Sequence, residues 1–132
     1  MNRVVFACVH NAGRSQMAAA WFNRVADPAK AQAISAGTQP ADRVHPVVIE
    51  AMKERGVDLS QAQPQKLTIE LARGAAFLVT MGCGENCPYV PGVRVLDWPL
   101  PDPKDQGIES VRVIRDEVES LVRDFVKQNA WG

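Results

Sequence analysis

The sequence predicts one α/β domain over residues 1–132, with a four-stranded parallel sheet flanked by helices on both faces. Three observations lead to this fold class. Short apolar runs alternate with segments of helical periodicity, 132 residues suffice for one core, and no repeat or linker divides them. Ligands of such sheets bind beyond the carboxyl ends of the strands. Functional residues are therefore expected in the loops that follow the strands.

The first half of the chain contains two strand and helix pairs. An apolar run is typical of a buried parallel strand, and the helix formers after Ser15 indicate a helix for which Ser15 acts as the hydroxyl N-cap. Proline favours the first turn of a helix, and glycine favours its end. The expected elements are strands from Val4 to Cys8 and from Ala31 to Ala36, and helices from Ser15 and from Pro46 to Arg55 before Gly56.

The second half continues the alternation and ends in a long amphipathic helix. Its apolar residues recur at helical spacing from Ile108 to Phe125, with charged residues between them. The remaining expected elements are a weaker helix from Leu67 to Ala72 and strands from Ala75 to Thr80 and from Val93 to Leu96.

Composition excludes several classes of function. Fifteen basic and fifteen acidic residues leave no overall field that would recruit nucleic acid or an anionic membrane. The chain has no apolar run of membrane-spanning length, and its start reads as a strand rather than a signal peptide, so we expect a cytoplasmic protein. Three cysteines in a reducing compartment argue against a structural disulfide framework.

The loop between the first strand and the first helix carries the candidate chemistry. Cys8 is separated from Arg14 by five residues, and Ser15 follows. Backbone N–H groups at a helix N-terminus attract a phosphate-sized anion, which Arg14 would clamp with its guanidinium. The same groups would favour the Cys8 thiolate, a nucleophile that Ser15 could hydrogen-bond. The predicted oxyanion-binding residues are Val9, His10, Asn11, Ala12, Gly13 and Arg14.

Ordinary structural roles remain the alternative for each residue alone. Cys8 could be a buried strand-end residue, and Arg14 could be a surface charge. Their joint spacing at a turn from strand to helix favours the functional interpretation.

Exchange of an oxygen on the central atom of a tetrahedral anion also needs a general acid. Asp97 and Asp102 both follow the fourth strand, and Asp102 precedes Pro103 in a stiff, proline-rich loop. Capping of a turn is the alternative role for either carboxylate.

Two further cysteines, Cys83 and Cys87, follow the third strand at the same end of the sheet as Cys8. The glycines at 82 and 84 would give this loop the freedom that thiol–disulfide exchange requires. Small loop residues are one alternative, and a metal site with a histidine is another. Because four ligands are not evident, we expect no metal, and we expect no cofactor.

The loop from Cys8 to Ser15, with Asn11 in it and with Asp102-Pro103 near the end, resembles the low-molecular-weight protein tyrosine phosphatase superfamily, in particular its arsenate reductase branch. The resemblance spans nearly the whole chain and implies that superfamily's four-stranded fold. It implies that Asp102 rather than Asp97 is the general acid and that His10 is a loop residue rather than a base. It further implies arsenate as substrate, with phosphate or sulfate as analogues.

In members coupled to thioredoxin, two cysteines placed like Cys83 and Cys87 form a relay, so the resemblance implies thioredoxin or glutaredoxin as reductant. The expected function is reduction of arsenate to arsenite, with residual phosphatase activity. A phosphatase that hydrolyses a phosphocysteine is the first alternative, although Lys104 and Asp105 replace the aromatic residues usual beside the acid loop. A sensor that binds an oxyanion or is oxidised at Cys8 is the second.

Overall fold

The computed structural model describes residues 2–82, 90–103 and 106–132. Within these residues, strands and helices follow one another in the order that the sequence predicts. The elements are β1 (Asn2–Cys8), α1 (Arg14–Val25), β2 (Ala31–Gly37), α2 (Pro46–Lys53), α3 (Ile69–Ala72), β3 (Phe77–Thr80), β4 (Arg94–Asp97) and α4 (Ile108–Gln128).

The four strands form one parallel sheet in the order β2-β1-β3-β4. At its carboxyl edge, Cys8 pairs with Gly37, and Thr80 lies in register with both Ala7 and Asp97. The predicted four-stranded parallel sheet is therefore confirmed. Its register brings the ends of all four strands to one edge, where the loops with the candidate site residues begin.

The two faces of the sheet are covered unequally. Alternate β1 residues, Val4 and Phe6 among them, enter the larger core, which contains buried residues of α1, α2 and α4. Val5 and Ala7 point to the other face, where they pack with Leu67 and with residues of the short α3 region. Helices therefore flank both faces, as predicted, and the heavier layer lies on the side of α1 and α4.

The start of α1 differs from the expected start. The helix begins at Arg14 with Gly13 as its N-cap, and no side chain caps it. Ser15 is wrong as an N-cap because its hydroxyl lies inside the helix and contacts Asn11 and Cys8 instead. The Ser15 hydroxyl therefore hydrogen-bonds within the candidate site instead of capping the helix.

Other helix bounds differ by a few residues. Helix α2 ends at Lys53, and the turn that follows closes at Gly56, whose φ of 75° suits glycine. Helix α3 is shorter than expected, because Thr68 accepts a hydrogen bond from Leu71 N and so caps the helix before Ile69.

Both ends of the described chain meet at the amino edge of the sheet. Asn2 N donates to Lys30 O at 3.0 Å, and Lys30 Nζ donates to Gly132 O at 3.4 Å. Asp27 N donates to Trp131 O at 2.7 Å. In the described ranges, no helix has the length and apolar character needed to cross a bilayer.

Candidate active site

The loop from residue 9 to residue 13 is anchored through its carbonyl oxygens. Those of Cys8, Val9, His10 and Ala12 accept backbone hydrogen bonds of 2.8 to 3.1 Å from residues 38, 39, 41 and 45. In a trans peptide, the N–H points opposite to the preceding carbonyl, so these bonds turn the next N–H groups inward. The loop thus presents donors to its concave side, which is the arrangement that binds an anion.

Gly37 allows the loop to lie close to the end of β2. A Cβ at this position would stand 2.6 Å from Val9 O and 2.9 Å from Asn11 N, which is too close for any larger residue without movement of the backbone. Gly37 is therefore required by the close approach of the loop, a role for which the sequence offered only the signal of a glycine at a strand end.

Cys8 lies at the base of the loop with 2% of its surface exposed. Its Sγ is 2.9 Å from Ser15 Oγ, which also accepts a hydrogen bond of 2.7 Å from Asn11 Nδ2. Both Ser15 and Asn11 are fully buried. The structure thus brings together the predicted nucleophile, the serine predicted to hydrogen-bond it and one of the predicted oxyanion-binding residues.

Arg14 lies beside this base with 6% of its surface exposed. Nη1 donates to Leu100 O at 3.1 Å, and Nη2 is 3.6 Å from Asp102 Oδ2. Gly82, with a φ of 100°, packs so closely against the guanidinium that a Cβ there would clash with it. Among the described residues, the buried Nε has no hydrogen-bond partner.

Asp102 reaches the same site from the loop after β4. Besides its approach to Arg14, its Oδ2 lies 3.9 Å from His10 Nδ1, at the half-exposed rim of the loop of residues 9–13, which we call the anion loop. Asp97 is occupied elsewhere, since its Oδ1 accepts a hydrogen bond of 2.8 Å from Thr80 Oγ1. Of the two carboxylates considered from the sequence, Asp102 is the one beside the anion loop.

Gly13 brings the acid loop and the anion loop into contact. A Cβ at Gly13 would lie 2.5 Å from Pro103 Cγ, so only glycine lets the proline after Asp102 pack here. The sequence predicts Gly13 in the loop, but no local pattern indicates this contact.

The predicted relay cysteines, Cys83 and Cys87, lie outside the described residues, as do Lys104 and Asp105. The described chain reaches Gly82, the residue before Cys83, at the guanidinium of Arg14. Within the described ranges, no group of three His, Cys, Asp or Glu side chains could hold a metal ion.

Two supporting residues were not found from the sequence. Gln16, which is 6% exposed, donates from Nε2 to Asn11 O at 3.1 Å and to Asn11 Oδ1 at 3.2 Å. Gln65 N donates to Asn11 Oδ1 at 3.0 Å. In the sequence, Gln16 was recognised only as a helix-forming residue. Gln65 belongs to a segment far along the chain from Asn11. No local pattern therefore indicated either contact.

Comparison with known proteins places this geometry in a family context. The sequence profile of the family described as low molecular weight phosphotyrosine protein phosphatase matches residues 3–130. A Halobacterium salinarum protein with a provisional arsenate reductase name is 40% identical over 124 residues, which are 91% of this chain and 87% of that relative. A glutaredoxin arsenate reductase of Synechocystis is 33% identical over 129 residues, with 96% and 97% covered.

A solved structure extends the similarity to three dimensions. The thioredoxin-dependent arsenate reductase of Corynebacterium glutamicum has 40% sequence identity and a TM-score of 0.83. The match covers 97% of this chain and 61% of the other, so the chain spans about three fifths of that protein's length.

Proposed function

Because the chain belongs to the low molecular weight phosphotyrosine protein phosphatase family, we propose that it binds arsenate over Cys8 and reduces it to arsenite. The observation that carries the proposal is the position of Cys8 Sγ, 2.9 Å from Ser15 Oγ, at the base of a loop with inward N–H groups. Relatives named as arsenate reductases support arsenate as the anion.

The first step is attack of the Cys8 thiolate on arsenic. The loop N–H groups and the Arg14 guanidinium hold the arsenate oxygens, and the hydroxyl opposite the sulfur leaves. Asp102 protonates this oxygen, so that it departs as water and leaves a cysteine-bound arsenic(V) adduct. The position of the Asp102 carboxylate beside Arg14 and His10 supports this role.

The second step reduces arsenic. The thiolate of Cys83 attacks Cys8 Sγ, the bond between sulfur and arsenic breaks, and its electron pair stays on arsenic, which leaves as arsenite. Cys87 then attacks Cys83, which frees the Cys8 thiolate and leaves a Cys83–Cys87 disulfide. A thioredoxin or a glutaredoxin reduces this disulfide by the same exchange chemistry. Gly82, which packs on Arg14 just before Cys83 in the chain, supports the short reach that the relay needs.

A coupled assay tests the relay. Arsenate-dependent oxidation of NADPH is measured with thioredoxin and its reductase, and in parallel with glutaredoxin, glutathione and glutathione reductase. Wild type should turn over with one of the two systems, and Cys8→Ser should be inactive because no nucleophile remains. Cys87→Ser should release about one equivalent of arsenite and then stop as a Cys8–Cys83 disulfide, whereas Cys83→Ser should release none.

Two results would contradict the proposal at different points. Full turnover by Cys83→Ser would show that the relay is wrong, and full turnover by Cys8→Ser would show that Cys8 is not the nucleophile. Mass spectrometry of the Cys87→Ser product identifies the disulfide, so that a loss of activity from misfolding is recognised.

Hydrolysis of a phosphate monoester is the second candidate function. The family itself favours it, because the same loop would bind phosphate and water could attack a phosphocysteine. This route needs Cys8 but neither relay cysteine. Release of p-nitrophenol from p-nitrophenyl phosphate by Cys83→Ser at the wild-type rate would show that hydrolysis does not use the relay, and loss of both p-nitrophenol and arsenite release in Cys8→Ser would show that both reactions need the same nucleophile.

A further inference from the structure

Asn11 has an unusual backbone conformation for a buried residue. Its φ is 51°, in the left-handed region that side chains rarely adopt, and none of its surface is exposed. Such a conformation persists only where surrounding contacts determine it. Its location between Cys8 and Arg14 means that those contacts also shape the anion loop.

Gln16 supplies several of these contacts. Its Nε2 lies 3.1 Å from Asn11 O, 3.2 Å from Asn11 Oδ1 and 3.3 Å from Gln63 O. Three acceptor oxygens surround one NH₂ group, so the amide nitrogen, not the amide oxygen, must face them. Gln16 therefore joins the backbone and the side chain of Asn11 to the segment that contains Gln63.

The direction of the hydrogen bonds follows from one fixed donor. Gln65 N is a backbone donor, so the Asn11 atom that it contacts must be the acceptor Oδ1. Asn11 Nδ2 then donates to Ser15 Oγ at 2.7 Å, so the Ser15 hydroxyl hydrogen is not used on Asn11 and is free for Cys8 Sγ, which lies 2.9 Å away. A donor at this end of the chain of hydrogen bonds favours the thiolate.

We infer that Gln16 is a positioning residue for the nucleophile, because its amide holds Asn11 in the one orientation that makes Ser15 a donor to Cys8. The inference rests on the proposed role of Cys8 as a thiolate, and it deepens that role. In the described part of the chain, Gln16 hydrogen-bonds Asn11 and Gln63 O and not Cys8 Sγ, so it acts on the sulfur through Asn11 and Ser15.

The test compares two changes at Gln16 with a matched change on the same helix. Gln16→Met keeps the length of the side chain and removes the donor, and Gln16→Glu places a carboxylate against three oxygens. Asn23→Leu is the control, because the Asn23 amide hydrogen-bonds the backbone of Ala33 on β2 and not the anion loop. Circular dichroism and the urea midpoint report whether each variant is folded.

The readout is the rate at which iodoacetate carboxymethylates Cys8, measured against pH, with the modified peptide identified by mass spectrometry. In Gln16→Met, the pH of half-maximal rate should rise by about one unit, and kcat/KM for arsenate should fall about tenfold. Gln16→Glu should shift the profile further upward. Asn23→Leu should keep the wild-type profile.

A folded Gln16→Met with the wild-type pH profile would overturn the inference, and so would an equal shift in Asn23→Leu. If Gln16→Met does not fold, the isosteric Gln16→Glu is used for the same measurement. A wild-type pH profile for Gln16→Glu would also contradict the inference. The alkylation assay needs no arsenate. A wild type that does not reduce arsenate, yet shows the expected shift in Gln16→Met, would therefore contradict the proposed function and leave the inference standing.

Discussion

At the scale of single residues, the Arg14 guanidinium connects α1 to two other parts of the chain. It contacts Leu100 O and Asp102 from the loop after β4, and Gly82 from the segment after β3. Because the side chain is buried, it cannot swing into solvent to meet an anion, and its geometry is set before any ligand arrives. Such preorganisation strengthens binding, since little ordering remains for the substrate to impose.

The two aspartates after β4 provide a matched pair for testing the general acid. Asp102→Asn should lower the single-turnover rate of arsenite release by about 10²- to 10⁴-fold, because the leaving oxygen no longer receives a proton. Asp97→Asn should leave this rate near that of wild type, since the Asp97 carboxylate is bound by Thr80. Rapid quenching with arsenite detection measures both rates. If both variants lost the same fraction of the single-turnover rate, Asp102 would not be the general acid.

At the scale of elements, local pattern accounts for most of what could be predicted. Apolar runs located all four strands. The signal was clearest for β3 and for β1 from Val4 onward, because a strand buried on both faces has no polar alternation to obscure it, whereas β4 is mostly exposed. The start of α1 was missed because Ser15 uses its hydroxyl on Cys8 rather than as a cap. The contact of Ser15 with Cys8 therefore overrides the usual preference of serine for the N-cap position.

Long-range contacts explain what could not be predicted of the candidate site. Cys8, Arg14 and Ser15 lie within one loop and its helix, so their spacing indicated them. Gln65 contacts Asn11 across 54 residues of sequence, and Leu100 contacts Arg14 across 86. No spacing rule links positions so far apart; only the fold brings them together.

Helices α2 and α4 are joined by a cluster of charges. Glu54 Oε2 accepts a hydrogen bond of 2.6 Å from Arg112, and Glu54 Oε1 accepts one of 2.8 Å from the buried Arg115. Hydrogen bonding to Arg112, with a further contribution from Arg115, lowers the pKa of Glu54 from 4.5 to about 2. The folded protein therefore favours the ionised carboxylate.

This lowered pKa sets the sign of a pH effect on stability. The contribution of Glu54 should be complete above pH 4.5 and should disappear as the pH falls toward about 2, where the carboxylate becomes protonated in the folded state as well. Glu54→Gln should lower the free energy of unfolding at neutral pH and approach wild type near the acid limit. Urea unfolding across this range measures the difference, with Glu117→Gln, an exposed position on α4, as control. A difference independent of pH would contradict the assignment.

At the scale of the whole molecule, an aromatic cluster ties the larger core together. The Phe125 ring lies 5.0 Å from that of Phe77, 5.6 Å from Trp131, 5.7 Å from Trp98 and 6.1 Å from Phe22, measured between ring centroids. One residue of α4 thus contacts α1, β3, the segment after β4 and the end of the chain. Edge-on and tilted ring pairs of this kind add to the gain from burial.

Truncation at the centre of this cluster should be costly. Phe125→Ala should lower the free energy of unfolding by about 3 to 5 kcal/mol, because the removed ring leaves a cavity among four others. Val113→Ala, at a position on α4 that is 57% exposed, should change it by less than about 0.5 kcal/mol. Urea denaturation followed by tryptophan fluorescence gives both values. Similar effects at the two positions would argue against a packing role for Phe125.

The meeting of both chain ends near Lys30 has a practical consequence. Since Asn2 and Gly132 lie near this point at the amino edge of the sheet and the anion loop lies at the carboxyl edge, a tag or an electrode coupled at either residue stands away from Cys8. Immobilised through Gly132, the molecule would present its oxyanion loop to the solution, which is the orientation that an arsenate-sensing surface requires.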